Sequence, residues 1–251
     1  MAGVEDDKNR YRMNNHYYWI HRSRDGFRKE IAVLREVVVG RLLPTFALID
    51  QESEAKVEAA WERLNATADD KSDEADAAEA AEQAGVAHYL ALVDAKQGLL
   101  NLFAVALHHL VEQQQITVLR QELVLRDETV SLAMLSVTEF VKRLAAAGIK
   151  VAESTSWLEI EELRNVANAA KHAEGRSAQW LWSNRPEIFT ASSLRGDAPL
   201  FQGPSRWLFQ PMTGQDLYVT TDDLERYFRA ANKFWQEFED ALASKAQPDR
   251  I

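Results

Sequence analysis

The densest chemistry in this chain lies in one run, Glu161-Glu-Leu-Arg164-Asn165-Val-Ala-Asn168-Ala-Ala-Lys171-His172-Ala-Glu-Gly175. Set on a helix at about 100° per residue, Glu161, Arg164, Asn168 and His172 share one narrow stripe. Asn165 and Lys171 flank it, and Leu163, Val166, Ala167 and Ala170 lie on other faces. A guanidinium or an ammonium neutralises phosphate oxygens, the guanidinium with two parallel hydrogen bonds. An imidazole can move protons near neutral pH. His172 falls in the last helical turn, where the helix end favours positive charge. A carboxamide can orient a hydroxyl or fix an imidazole tautomer. The set suits a phosphodiester, and with RNA the 2′-hydroxyl is itself the nucleophile, so no cysteine, serine or metal is required. The same residues also suit a polar face or a satisfied network between helices. Both readings stay open on spacing alone.

The phrase LRNVANAAKHAEG, late in a helical chain, resembles the HEPN superfamily (higher-eukaryote and prokaryote nucleotide-binding domains). The signature of that family is an Arg, commonly followed by a polar residue, and then a His near a helix end. Arg164 with Asn165 matches the first part, and His172 with Gly175 nearby matches the second. Seven residues, Asn165 to Lys171, stand between Arg164 and His172, a longer spacer than the family's usual one. The resemblance covers about residues 86–190. It implies a helical bundle, a homodimer, and a metal-independent ribonuclease of bacterial stress response or phage defence, as in toxin–antitoxin systems. It implies that His172 is the general acid/base and that Arg164 and Lys171 bind the scissile phosphate. Asn168 would orient the substrate or the imidazole, Glu161 would fix Arg164 or Lys171, and Asn165 would support them. No cofactor and no metal is implied. The other function class is a non-catalytic helical module that binds a nucleotide or a protein partner such as an antitoxin.

Two further groups carry chemistry. His108 and Glu112 are four residues apart on a predicted helix, and His109 pairs similarly with Glu112. Metal binding there needs further ligands, and no HExxH motif is present. We read the group as a polar patch where this helix meets the Glu161–His172 helix; in the functional reading, His109 and Glu112 line the same cleft as supporting groups. The N-terminal arm interleaves Tyr11, Tyr17, Tyr18 and Trp19 with Arg10, Arg12, Arg22 and Arg24. Such a pattern can stack and neutralise single-stranded RNA. It also suits an amphipathic helix that docks its rings on a bundle, and that reading is preferred.

Helices must position these groups. The chain has 251 residues, ten glycines, six prolines and no cysteine. That composition is helical, and the length suits one domain. The predicted fold is mainly α: a bundle of roughly five to seven helices with a small C-terminal β-hairpin and a closing helix. We read a single domain, 1–251, with a basic and aromatic arm (1–29), an acidic connector or solvated helix (66–85) and a loop with hairpin (190–220). Helices are predicted over 26–43, 45–64, 86–122, 128–147 and 157–172, with a short piece over 177–182 and a last helix from Thr220 or Thr221. Gly148 should end the fourth and Gly175 the fifth, and Ser156-Trp-Leu-Glu159 reads as a capping box. Trp207-Leu-Phe-Gln and Asp216-Leu-Tyr-Val-Thr read as the two strands, with Pro211–Gly214 as their turn.

The absence of cysteine excludes disulfides, thiolate metal sites and a cysteine nucleophile. The N-terminal residues lack the apolar core of a secretory signal. The stretch Leu99 to Leu107 is broken by Asn101 and falls short of the roughly 20 residues of a membrane span. The expectation is a cytoplasmic protein with no membrane partner. The formal net charge of −10 argues against a nucleic-acid partner only on average. Ala66–Glu82 holds seven acids and one base, whereas Lys8–Lys29 holds seven bases and one acid. An RNA site therefore has to be local.

Overall fold

Apolar residues at helical spacing, with few glycines and prolines between them, form helices through most of the described residues. The computed structural model describes residues 11–67, 73–125, 128–129, 131–195 and 207–246. The helices are α1 (His16–Arg22), α2 (Arg28–Val37), α3 (Ile49–Ala66), α4 (Glu74–Val118), α5 (Val137–Ala146), α6 (Trp157–His172), α7 (Arg176–Asn184) and α8 (Thr221–Ala246). One-turn π segments at Ser23–Phe27 and Val38–Leu42 continue the helical run over 16–42, and another at Leu119–Leu123 extends α4. The chain is mainly helical, as predicted. It divides into two compact units: Met1–Glu36 with Phe103–Asn168 and Thr221–Ile251, and Val37–Leu102 with Ala169–Thr220. Both α4 and α6 contribute residues to each.

The first unit is built on α8. Its apolar residues at helical spacing, Leu224, Phe228, Ala231, Trp235, Phe238 and Leu242, are buried, with no member more than 1 % exposed. Phe27 lies against Trp235, ring centres 4.6 Å apart. The described part of the N-terminal arm is integral to this core. Trp19 is buried and its Nε1 donates to Glu122 Oε2 at 3.0 Å. Arg24 and Arg28 pair with buried Glu239 at 3.3 and 3.5 Å, while Tyr17 and Tyr18 are exposed. Arg10 lies outside the described residues. Helix α5 starts later than predicted, at Val137. Ser136 caps it by accepting from the Glu139 backbone N–H at 3.2 Å, a Ser-x-x-Glu signal that outranks the acids further upstream. It ends at Gly148, whose φ is 78°.

In the second unit the acidic run is helical from Glu74, where α4 begins; Asp69, Asp70 and Lys71 lie outside the described residues. The C-terminal β-hairpin is not formed: no strand occurs among the described residues. Pro211–Thr213 makes a single 3-10 turn, and Gly214 is left-handed at φ 90°. The reason lies in hydrogen-bond partners, since buried backbone groups must be paired but not necessarily with each other. Asn101, fully buried on α4, donates through Nδ2 to the carbonyls of Pro211 at 2.6 Å and Leu217 at 2.8 Å. Gln97 Nε2 donates to the Val219 carbonyl at 2.9 Å. Asp216 accepts from the Phe209 and Gln210 N–H groups at 2.9 and 3.3 Å. The Tyr218 N–H goes to the Ile188 carbonyl at 2.7 Å. Gly98 permits the close approach, because a Cβ there would stand 2.8 Å from the Met212 carbonyl oxygen.

By length and composition the run Glu74–Leu123 is apolar enough to cross a membrane, and a third of its most apolar stretch is buried within the chain. Two of its buried polar groups, Asn101 in the second unit and Gln114 in the first, are engaged in internal hydrogen bonds. Gln114 Nε2 reaches the Phe27 carbonyl at 3.2 Å and Glu30 at 2.9 Å.

Candidate functional site

Helix α6 starts one residue after Ser156, whose hydroxyl donates to Glu237 Oε2 at 2.6 Å. Ile160, Leu163, Val166 and Ala167 are its buried face in the first unit. The polar residues of the motif divide by use. Asn165 is buried, and its Nδ2 donates to the Glu161 carbonyl of the preceding turn at 2.9 Å. That engages its amide within the helix. Glu162, absent from the sequence reading, is buried. It receives two hydrogen bonds from Arg226, at 3.1 and 2.5 Å, and one from the Tyr227 hydroxyl at 2.6 Å. Burial, with the Glu162 charge beside it, pushes the Tyr227 phenol well above its ordinary range. Nothing in the sequence marks Glu162 as different from Glu161, because its partners lie on α8, far along the chain.

Arg164 is used much less. It is 43 % exposed and meets Glu161 at 3.9 Å, the outer limit of an ion pair. Exposed pairs of this kind contribute little, about 0–1 kcal/mol. Other arginines of this unit are firmly held. Arg143 is bound by both oxygens of Glu128 at 2.6 Å and by Glu139 at 2.7 Å. Arg35 is gripped by both oxygens of Glu225. Asn168 is half-buried. Lys171 and His172 belong to the second unit and are exposed. The helix is ended not by Gly175 but by Ala173, left-handed at φ 57°, whose N–H bonds the Ala169 carbonyl at 2.8 Å. Gly175 precedes α7 instead.

Within the first unit, α6 and α4 enclose a narrow cleft of about 20 Å³ lined by Glu161, Arg164 and Trp157 on one side and His108, Glu112 and Gln115 on the other. The predicted Glu161, Arg164 and Glu112 thus meet. His108, rather than His109, lines the cleft. His109 stands beside it, with Nδ1 3.1 Å from Glu112 Oε2. Gln115 was not foreseen. It is 2 % exposed, and its Nε2 has no hydrogen-bond partner among the described residues. The only sequence signal was the run Gln113-Gln114-Gln115 inside an otherwise apolar helix. Two carboxylates and one guanidinium give the cleft an acidic balance.

Comparison with protein-family models, curated proteins and solved structures finds no match to this chain.

Proposed function

We propose that this chain is a HEPN-like helical protein that cleaves RNA without a metal, acting in the cytoplasm in bacterial stress response or phage defence. The observation that carries the reading is the exposure of the motif's reactive groups. Arg164 is weakly paired and His172 is exposed, while Glu162 and Asn165 on the same helix serve the fold. In this reading Arg164 and Lys171 hold non-bridging phosphate oxygens, and Asn168 orients the ribose. His172 takes the proton of the 2′-hydroxyl as its oxygen bonds to phosphorus. The bond from phosphorus to the 5′-oxygen breaks, and that oxygen takes up a proton from solvent. These contributions come from one chain or from two copies paired as a homodimer, with an antitoxin-like protein as a further partner.

The test is cleavage of single-stranded RNA in a metal chelator by wild type, His172→Ala and Arg164→Ala. Loss of a positioned acid/base should lower the rate by about 10²–10⁴. Equal cleavage by wild type and His172→Ala, or none by any form, overturns the proposal. The second reading, a non-catalytic module for a protein partner, is favoured by Leu158, 72 % exposed on α6. It predicts no cleavage.

A further inference from the structure

We propose that His108, His109 and Glu112 form a binding site for one borderline divalent cation of the zinc type. This goes beyond the RNA reading and does not depend on it. One ligand atom from each of the three residues lies within 4.8 Å of the others. They occupy little more than one turn of α4, so their Cα atoms are held in fixed register by helical hydrogen bonds. Two imidazoles and a carboxylate match the donors zinc prefers, at about 2.0–2.2 Å from the metal. His109 Nδ1 and Glu112 Oε2 are already 3.1 Å apart, close to the separation of two ligands on one tetrahedral ion. The His108 and His109 rings have centres 5.5 Å apart at 68° to one another. A modest rotation of the half-exposed His109 brings its donor toward that of His108.

The surroundings favour a cation that keeps an open position. Glu112 and Glu161 outnumber Arg164 in the cleft, and Arg164 is turned to Glu161. Three protein ligands leave a fourth position for an exogenous oxygen, the pattern of zinc sites that act on a ligand. Gln115 supplies the independent observation. It lines the same cleft one turn beyond Glu112, nine-tenths buried, with an amide donor that has no acceptor among the described residues. Leaving such a donor unmatched costs about 1–3 kcal/mol, and an anionic oxygen ligand on the cation would accept from it.

The experiment is titration of the untagged, chelator-stripped protein with Zn²⁺ by calorimetry and with Co²⁺ by visible absorption. Wild type should bind one ion per chain, and Co²⁺ should show the intense bands of low-coordinate nitrogen and oxygen ligation. His109→Ala and Glu112→Gln alter half-exposed residues and should each weaken binding by about 10- to 100-fold, at least the loss seen for a supporting group. His21→Ala, which removes the exposed His21–Asp25 pair at 3.5 Å, should bind as wild type does. His172→Ala should also bind normally, so this proposal and the RNA reading fail separately. Absence of saturable binding overturns the site, as does binding unchanged in both ligand variants.

Discussion

Replacing Asn101 by leucine tests the packing that stands where a hairpin was predicted. Its side chain is fully buried and serves three backbone groups. The Pro211 and Leu217 carbonyls receive strong bonds at 2.6 and 2.8 Å, and the Val219 N–H donates a weak one at 3.4 Å. Leucine fills a similar volume and can make none of these bonds. An orphaned buried polar group costs about 1–3 kcal/mol, so the two carbonyls alone amount to about 2–6 kcal/mol. The added apolar surface of leucine offsets part of this, since burying such a side chain contributes about 1.5–3 kcal/mol. The net loss should be about 2 kcal/mol, large beside the roughly 5–15 kcal/mol that keeps a domain folded. If the segment opens so that water reaches the carbonyls, the loss should appear there first. Urea unfolding of Asn101→Leu and wild type measures the global change, and hydrogen exchange of peptides over 207–219 measures the local one. Stability within about 0.5 kcal/mol of wild type, the usual range for an inconsequential surface change, with unaltered exchange over 207–219, would refute the reasoning.

Two other expectations follow from single groups. Ser136→Ala should destabilise the protein by about 1 kcal/mol through loss of the α5 cap, whereas a lowered helix content without any change in unfolding midpoint would contradict that role. Burial pushes the Glu122 carboxyl up, but hydrogen bonds from Trp19, Asn14 and Asn15 together outweigh it and hold the group below its ordinary 4.5. Its contribution to stability is therefore present above about pH 4.5 and disappears as pH falls through the depressed folded value. Glu122→Gln should lower the thermal midpoint at neutral pH and flatten its decline in acid; parallel midpoint curves for the two proteins would count against it.

Much of the helical layout could be read directly. The last helix begins at Thr221, as predicted, and its apolar stripe is buried, because one face of a long amphipathic helix has to be buried whatever it meets. The α6 boundaries fall where predicted, although the Ser156 hydroxyl bonds Glu237 of α8 and not its own helix, and Ala173, not Gly175, takes the left-handed turn. The strands failed for the converse reason. Short runs of aromatic and branched apolar residues over 207–210 and 216–220, flanking a Pro–Gly turn signal, read as strands, yet strand formation depends on which donors and acceptors lie alongside. Here Asn101 and Gln97 of α4 lie alongside, and side-chain amides took the place of a ladder.

The candidate site shows the same division. The sequence by itself determined which groups share a helix: Glu161, Arg164 and Asn168 along α6, and His108, His109 and Glu112 along α4. Helical periodicity is a local property, and about 3.6 residues per turn fixes it without reference to the rest of the chain. Only the tertiary structure decided which of those groups are engaged and which are open. Glu161 and Glu162 are adjacent and chemically identical, yet Glu162 is locked by Arg226 and Tyr227 while Glu161 lines a cleft. Gln114 and Gln115 divide likewise, one bonded within the core and the other left with an unmatched donor. Burial and pairing depend on residues more than sixty positions away, and no spacing rule along one helix contains that information.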